Sequence, residues 1–113
     1  MTTQDAQYGA DLKTASFNQN TAADFAVVSA PGAGKRIVIT GIRLIANGAV
    51  DVTFQSANNN LSGPMTLAAA SLIEASGTRE SPLFTCNVNE DFSIVLSAAI
   101  KVAGWISYYV EVV

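Results

Sequence analysis

RIVITGIRLIANGAVDVTFQ, residues 36–55, is the stretch whose reading decides the fold. Two runs rich in Ile and Val flank Asn47-Gly48. Asn-Gly between apolar runs is the strongest short-range signal for a β-hairpin, because a type I′ turn needs positive φ at both central residues. A two-residue turn would set Ala46 opposite Ala49, Ile45 opposite Val50, Arg43 opposite Val52 and Gly41 opposite Phe54. Side chains alternate across a strand, so Ile37, Ile39 and Ile45 would share a core face with Val50, Val52 and Phe54. Gly41 would leave room for Phe54.

The opposite face would carry Val38, Thr40, Ile42, Leu44, Ala46, Ala49, Asp51, Thr53 and Gln55. A solvent-facing strand is ordinarily richer in Lys, Glu and Arg. Between Ile37 and Ile73 the only charges are Arg43 and Asp51. The pattern therefore predicts that a second layer of the chain, or another subunit, covers this face.

Composition supports burial of that kind. The chain has 113 residues, half of them hydrophobic, enough for one domain that buries about two-thirds of its unfolded surface. Charged residues make up 13%, against roughly 25% in typical soluble domains, which favours contacts with partners over a dispersed monomer. The net charge of −3 argues against nucleic acid, which asks for a basic patch. No apolar run reaches the length of a membrane span. The first residues, MTTQDAQYGADLK, lack the basic start and apolar block of a secretory signal. The one cysteine, Cys86, excludes an internal disulfide and fits a buried small hydrophobe in a protein made in a reducing compartment.

Residues 1–23 are polar and aperiodic, and read as an N-terminal arm ahead of a domain at 24–113. Tyr8, Leu12 and Phe17 are its apolar anchors, expected to dock on a neighbouring subunit or another surface by strand addition, with a mobile tail as the alternative. Strands follow at 24–30, 83–88, 92–96 and 102–113, and SANNNLSGP reads as loop. Residues 65–75 read as two short strands or one bent strand, with helix as the competitor. In the last strand Ile106, Tyr108, Val110 and Val112 lie on one side, and Trp105, Tyr109 and Val113 on the other. Seven or eight short strands and no clear helix make an all-β, single-domain antiparallel β-sandwich or jelly-roll-like barrel.

The apparent chemical motifs fail on inspection. Pro31-Gly32-Ala33-Gly34-Lys35-Arg36 lacks the first Gly and the final Ser or Thr of a phosphate-binding loop, and it opens a strand instead of a helix. Asn87, Asn89 and Asp91 have the spacing that starts a calcium loop, but Phe92 and Ala98 stand where Gly and Glu are required. There is no histidine, which removes histidine bases and most zinc sites. Asn60-Leu61-Ser62 matches a glycosylation acceptor without a secretory context. No catalytic, cofactor-binding or metal-ligating residue is expected, and the chain reads as non-enzymatic. Trp105, Tyr108 and Tyr109 are the candidates for a sugar-stacking platform, though aromatics on an apolar strand more often lie in a core or interface.

The segments AVVSAPGAGKRIVITGIRLIANGAVDVTFQS, LSGPMTLAAA and NEDFSIVLSAAIKVAGWISYYVEV resemble small β-sandwich proteins of bacteriophages, of the capsid decoration (cement) or head-fibre type. The shared features are the glycine turn before a β-branched strand, the VTF ending, the GP-x-x-L-A segment and the closing VxV strand. The likeness spans about residues 25–113. It implies a homotrimer on a shell of major capsid protein or another virion protein, located on the virion and assembled in the host cytoplasm, with no active site. Tyr8, Leu12, Phe17, Val38, Ile42, Leu44 and Trp105 are then the expected interface residues. The alternative is a receptor- or carbohydrate-binding tip of a tail fibre.

Overall fold

The structure, a computed structural model, describes residues 12–22 and 24–113. The strands are β1 (Lys13–Gln19), β2 (Asp24–Val28), β3 (Lys35–Ala46), β4 (Val50–Ser56), β5 (Asn59–Asn60), β6 (Met65–Leu67), β7 (Ser71–Ser76), β8 (Phe84–Thr85), β9 (Phe92–Leu96) and β10 (Val102–Val112). No helix occurs among the described residues. The first sheet runs β1-β10-β3-β7, with β8 also on β3; the second runs β2-β9-β4-β5, with β6 also on β4. Every pairing is antiparallel. The chain changes sheet after β1, β2, β3, β6, β8 and β9. With β5 and β8 as two-residue appendages, this is the double-sheet jelly-roll arrangement.

The expected hairpin at Asn47-Gly48 does not form. β3 and β4 lie in different sheets, and 47–49 is a corner between them. The reason is competition for hydrogen bonds. Both edges of β3 are taken, by β10 on one side and by β7 and β8 on the other. At the corner the Asn47 N–H donates to the Lys101 carbonyl, and the Ala46 carbonyl accepts from Ala70 N–H. Positive φ occurs at Gly32, Gly34, Ala57, Ala70 and Asn89 among the described residues, and at neither Asn47 nor Gly48, so the type I′ requirement is unmet. The tight hairpin lies one strand later. Ser56 pairs with Asn59 across Ala57-Asn58, and Ala57 takes φ 51°. The SANNNLSGP segment therefore contains β5 and is not wholly loop.

A second correction concerns faces. In β10, Ser107 pairs with Gly41 and Tyr108 with Ile39, so Thr40 is an extra residue in β3. This β-bulge shifts the inward phase by one. Ile37 and Ile39 face the core before it, and Ile42, Leu44 and Ala46 after it. Ile45, expected in the core, is 41% exposed. The bulge is held by the Thr40 hydroxyl, 3.2 Å from the Ser107 carbonyl oxygen and 2.9 Å from its Oγ. Gly41 therefore faces Ser107 and Ser76 and has no pairing with Phe54. β4 follows expectation, with Val50, Val52 and Phe54 buried.

Between the sheets, Phe54 packs against Phe84 and Phe92, with ring centroids 5.7 and 5.9 Å apart. Burying such a side chain contributes about 1.5–3 kcal/mol. Part of the polar segment 1–23 joins this core. β1 pairs with β10 from Lys13–Tyr108 to Gln19–Val102, and Phe17 enters the core cluster 6.2 Å from Phe25. Phe17 stands opposite Gly104, where a Cβ would come within 1.8 Å of the Arg43 carbonyl oxygen. Only glycine fits that approach, and the phenyl ring covers the backbone it leaves bare. Residues 13–19 of the arm thus add as a strand to β10 of their own chain, where a partner was expected. The division at 23/24 does not separate it from the sandwich. Tyr8 lies outside the described residues.

Candidate functional site

Two parts of the surface depart from an ordinary polar exterior. The larger is the outer face of the first sheet below the Thr40 bulge. Register sets Ser16, Trp105, Arg43 and Glu74 in one row across β1, β10, β3 and β7. The neighbouring rows are Asn18, Ala103, Ile45 and Leu72 on one side, and Thr14, Ser107, Gly41 and Ser76 on the other. Trp105 is 43% exposed and Leu72 48%. Beside Trp105 lies an open groove of about 520 Å³ lined by Gly41, Ile42, Glu74, Ala75, Ser76 and Ser107.

The groove follows from residue size. Gly41 contributes no side chain, and a Cβ there would meet Ser107 Oγ at 2.6 Å. Ser107 and Ser76, its two strand partners, are small. A low strip of Thr14, Ser107, Gly41 and Ser76 therefore runs beside the tall indole. Glu74, the charged residue of the lining, accepts from the Arg43 guanidinium at 2.5 Å, so its charge is balanced by a neighbour outside the groove. Both ends of that pair are about half exposed, and such pairs contribute little to stability, about 0.2–1 kcal/mol.

Above the bulge the same face is closed. Val38 and Tyr109 are strand partners and both buried. The Arg79 guanidinium lies 4.7 Å from the centre of the Tyr109 ring, and the Tyr109 hydroxyl donates to the Arg79 carbonyl at 3.5 Å. The 77–83 segment is tied to β3 through Gly77 N–H to Thr40 O and Leu83 N–H to Ile39 O. Burial and the Glu111 carboxylate push the Tyr109 phenol upward, with Arg79 and Arg36 opposing.

The second unusual surface is the end of the sandwich at the glycine turn. Val113 N–H donates to Gly34 O, Asn89 N–H to Lys35 O, and Gly32 N–H to Asn89 Oδ1. Val112 is the strand partner of Lys35. Val88, Val112 and Val113 are all exposed here, Val112 at 74%.

The anticipated site residues divide accordingly. Ile42 and Leu44 belong to the core, and Phe17 joins them; Val38 is buried beside Tyr109. None of these four can serve as an interface residue, because the bulge turns Ile42 and Leu44 inward and the chain covers the others. Leu12 and Trp105 are exposed. The three-aromatic platform does not assemble: Tyr108 packs against the core, Tyr109 lies under Arg79, and Trp105 stands alone. Gly41, Glu74, Ser76 and Ser107 were not legible as groove residues, since they come from three strands whose register depends on the bulge. One signal was present. The inward apolar phase of β3 changes between Ile39 and Ile42 around a glycine, and glycine inside a strand marks bulges.

The Asn87–Asp91 turn is structural. Ser56 Oγ, Asn87 Nδ2 and Asn59 Nδ2 donate to Glu90 Oε1 at 2.7, 3.1 and 3.4 Å. The Ser56 hydroxyl, more than the two amides, holds the Glu90 carboxyl below its ordinary range. No group of three or more metal-ligating side chains occurs among the described residues. Cys86 is buried, and desolvation pushes its thiol up to about 11 against a lowering hydrogen bond from Ser56. It packs in the core cluster.

No protein-family model and no curated protein matches this chain. A solved structure described as Bacillus endospore appendages, a novel family of disulfide-linked pili, superposes with a TM-score of 0.53 at 16% identity, over 92% of this chain and 87% of that one. At that identity the likeness concerns the fold, and this chain is similar to a pilus subunit in being an all-β sandwich.

Proposed function

We propose that this chain is a non-enzymatic structural protein that decorates or cements a phage capsid, working as a homotrimer and through contacts with the major capsid protein. The observation that carries the reading is the apolar end of the sandwich, where Val88, Val112 and Val113 are exposed together around the glycine turn. Exposed apolar clusters of this kind mark contacts with other proteins. The resemblance of residues 25–113 to cement proteins supports the virion setting. The pilus subunit with the same kind of fold is a second instance of such a sandwich used as a building block, although fold alone does not establish function.

Sedimentation equilibrium at micromolar concentration tests the reading. The expected mass is three times the chain mass of 11.8 kDa, falling to the monomer when Val112 and Val113 are both replaced by Lys. Co-sedimentation with empty capsid shells should be lost in the same variant. A wild-type monomer that ignores the shells sinks the proposal.

A filament subunit is the second reading, favoured by the pilus likeness. The one cysteine of this sequence is Cys86, buried and with a raised thiol pKa, so cross-linking through it would require the core to open. Filaments of this chain would rest on non-covalent contacts and survive reducing agent. Electron microscopy of the purified protein with and without dithiothreitol distinguishes the two readings.

A further inference from the structure

The groove beside Trp105 is separate from the apolar end and is built differently. It joins four things that are seldom combined on a face whose only task is to be wetted. A large indole stands beside a low floor at Gly41 and Ser107. Hydroxyls of Ser107 and Ser76 belong to that floor or its rim. Glu74, in the same row as Trp105 and paired with Arg43, also lines it. The groove is open to solvent, with a volume of about 520 Å³.

We infer that this groove is a binding site for a neutral, hydroxyl-rich glycan, a short stretch of uncharged pyranose rings. A pyranose has an apolar C–H face and a rim of hydroxyls that both donate and accept. The indole offers an apolar surface with one polar edge, which suits the ring face. The Glu74 carboxylate accepts, and the Ser76 and Ser107 hydroxyls both donate and accept, which suits the hydroxyl rim. The ion pair with Arg43 restricts the carboxylate that lines the groove.

Charge selects the ligand class. An anionic sugar would meet the Glu74 carboxylate that lines the groove, and a cationic ligand would find that carboxylate already paired with Arg43. An uncharged ligand meets neither obstacle. A protein partner fits less well, because the floor is a hydroxyl-bearing depression and the flanking Ile45 and Leu72 lie in the row on the far side of Trp105. The open groove leaves much of a bound ring in water, so binding at a single groove is weak. Several copies in one assembly would raise it through avidity.

Trp105 is the only tryptophan of the chain, so intrinsic fluorescence reports on the groove directly. Full-length protein is titrated with maltotriose, cellotriose, chitotriose and N-acetyllactosamine, with 3′-sialyllactose and a heparin disaccharide as charged counterparts. A broad array of neutral glycans is then probed with wild type, Trp105→Ala, Glu74→Gln and Gly41→Val. The expected result is saturable binding of at least one neutral glycan, weakened tenfold or more by Trp105→Ala and by Gly41→Val, which fills the floor. Glu74→Gln should weaken it less. Circular dichroism checks that Trp105→Ala and Glu74→Gln, both at exposed positions, remain folded. Three results overturn the inference: no array glycan retained by wild type above Trp105→Ala, binding unchanged in both Trp105→Ala and Glu74→Gln, or stronger binding of the charged sugars. The proposed assembly role is read separately, from sedimentation mass. Loss of glycan binding with an intact trimer, or the converse, separates the two.

Discussion

The two sheets present unlike outer faces. The second sheet shows Asp51, Thr53 and Gln55 from β4, with Thr66 opposite Asp51 and Asn60 opposite Gln55. This is the plain alternation of a half-buried strand, apolar inward and polar outward. The first sheet shows Trp105, Ile45 and Leu72 below the bulge, and above it a buried pair, Val38 and Tyr109, under Arg79. The difference accounts for the charge-poor, two-sided pattern of residues 36–55. That pattern is a composite of three effects. A phase shift sends Ile42 and Leu44 inward, a loop of the same chain covers Val38, and an apolar residue, Ile45, remains on the surface.

The largest test of that comparison uses two adjacent residues. Leu44→Ala should cost about 2–5 kcal/mol, as a buried deletion that leaves a cavity, while Ile45→Thr should stay within about 0.5 kcal/mol. Chemical denaturation of both variants measures it. Equal losses would place the phase shift elsewhere in β3. Next in size is Thr40→Val, which removes the hydroxyl that pins the bulge to Ser107 and should cost about 1–3 kcal/mol. If stability is unchanged, the hydroxyl does not hold the phase shift.

Gly41→Ala should cost about 1 kcal/mol, at the low end of overpacking, because its Cβ would meet Ser107 Oγ at 2.6 Å. Most of that loss should return in the double variant Gly41→Ala with Ser107→Ala, a coupling that a double-mutant cycle reads out. Additive losses would break the assigned register of β3 on β10.

The smallest effect concerns pH and lies in the 87–91 turn, where Glu90 meets Ser56 and Asn59 of the second sheet. Hydrogen bonds lower the Glu90 carboxyl in the folded protein, that from Ser56 most. A depressed folded pKa gives stability that is complete above the ordinary glutamate pKa, about 4.3, and is lost as pH falls through the lower folded value. The melting temperature should therefore drop on acidification below about pH 4.3, and less steeply in Glu90→Gln. An equally steep drop in that variant would assign the acid limb to other carboxylates.

Much of the architecture was legible before any coordinates. Turn signals between short β-branched runs marked an all-β sandwich, and Val50, Val52 and Phe54 were readable as core because alternation in β4 is unbroken. The strand at Phe92–Leu96 and the alternation of β10 were readable for the same reason. The pairing of β3 was not. Asn47-Gly48 carries only a local turn preference, and it is outweighed when both edges of β3 are filled by strands distant in sequence. Local propensity cannot register that competition, because β10 and β7 become neighbours of β3 only when the sandwich closes.

The docking of β1 belongs with the same lesson. Nothing in KTASFNQ marks it as part of a core, since one apolar ring among polar residues has no period. Phe17 becomes a core residue because Gly104 leaves bare backbone opposite it. The sequence by itself determined the fold class, the lack of histidine chemistry and the burial of Cys86, all of which depend on composition and on unbroken alternation. Only the tertiary structure decided which strands are neighbours, which way Ile42 and Ile45 face, and that Gly41, Glu74, Ser107 and Trp105 meet in one groove. Those outcomes depend on register between distant strands, and a single extra residue at Thr40 is enough to reverse a face.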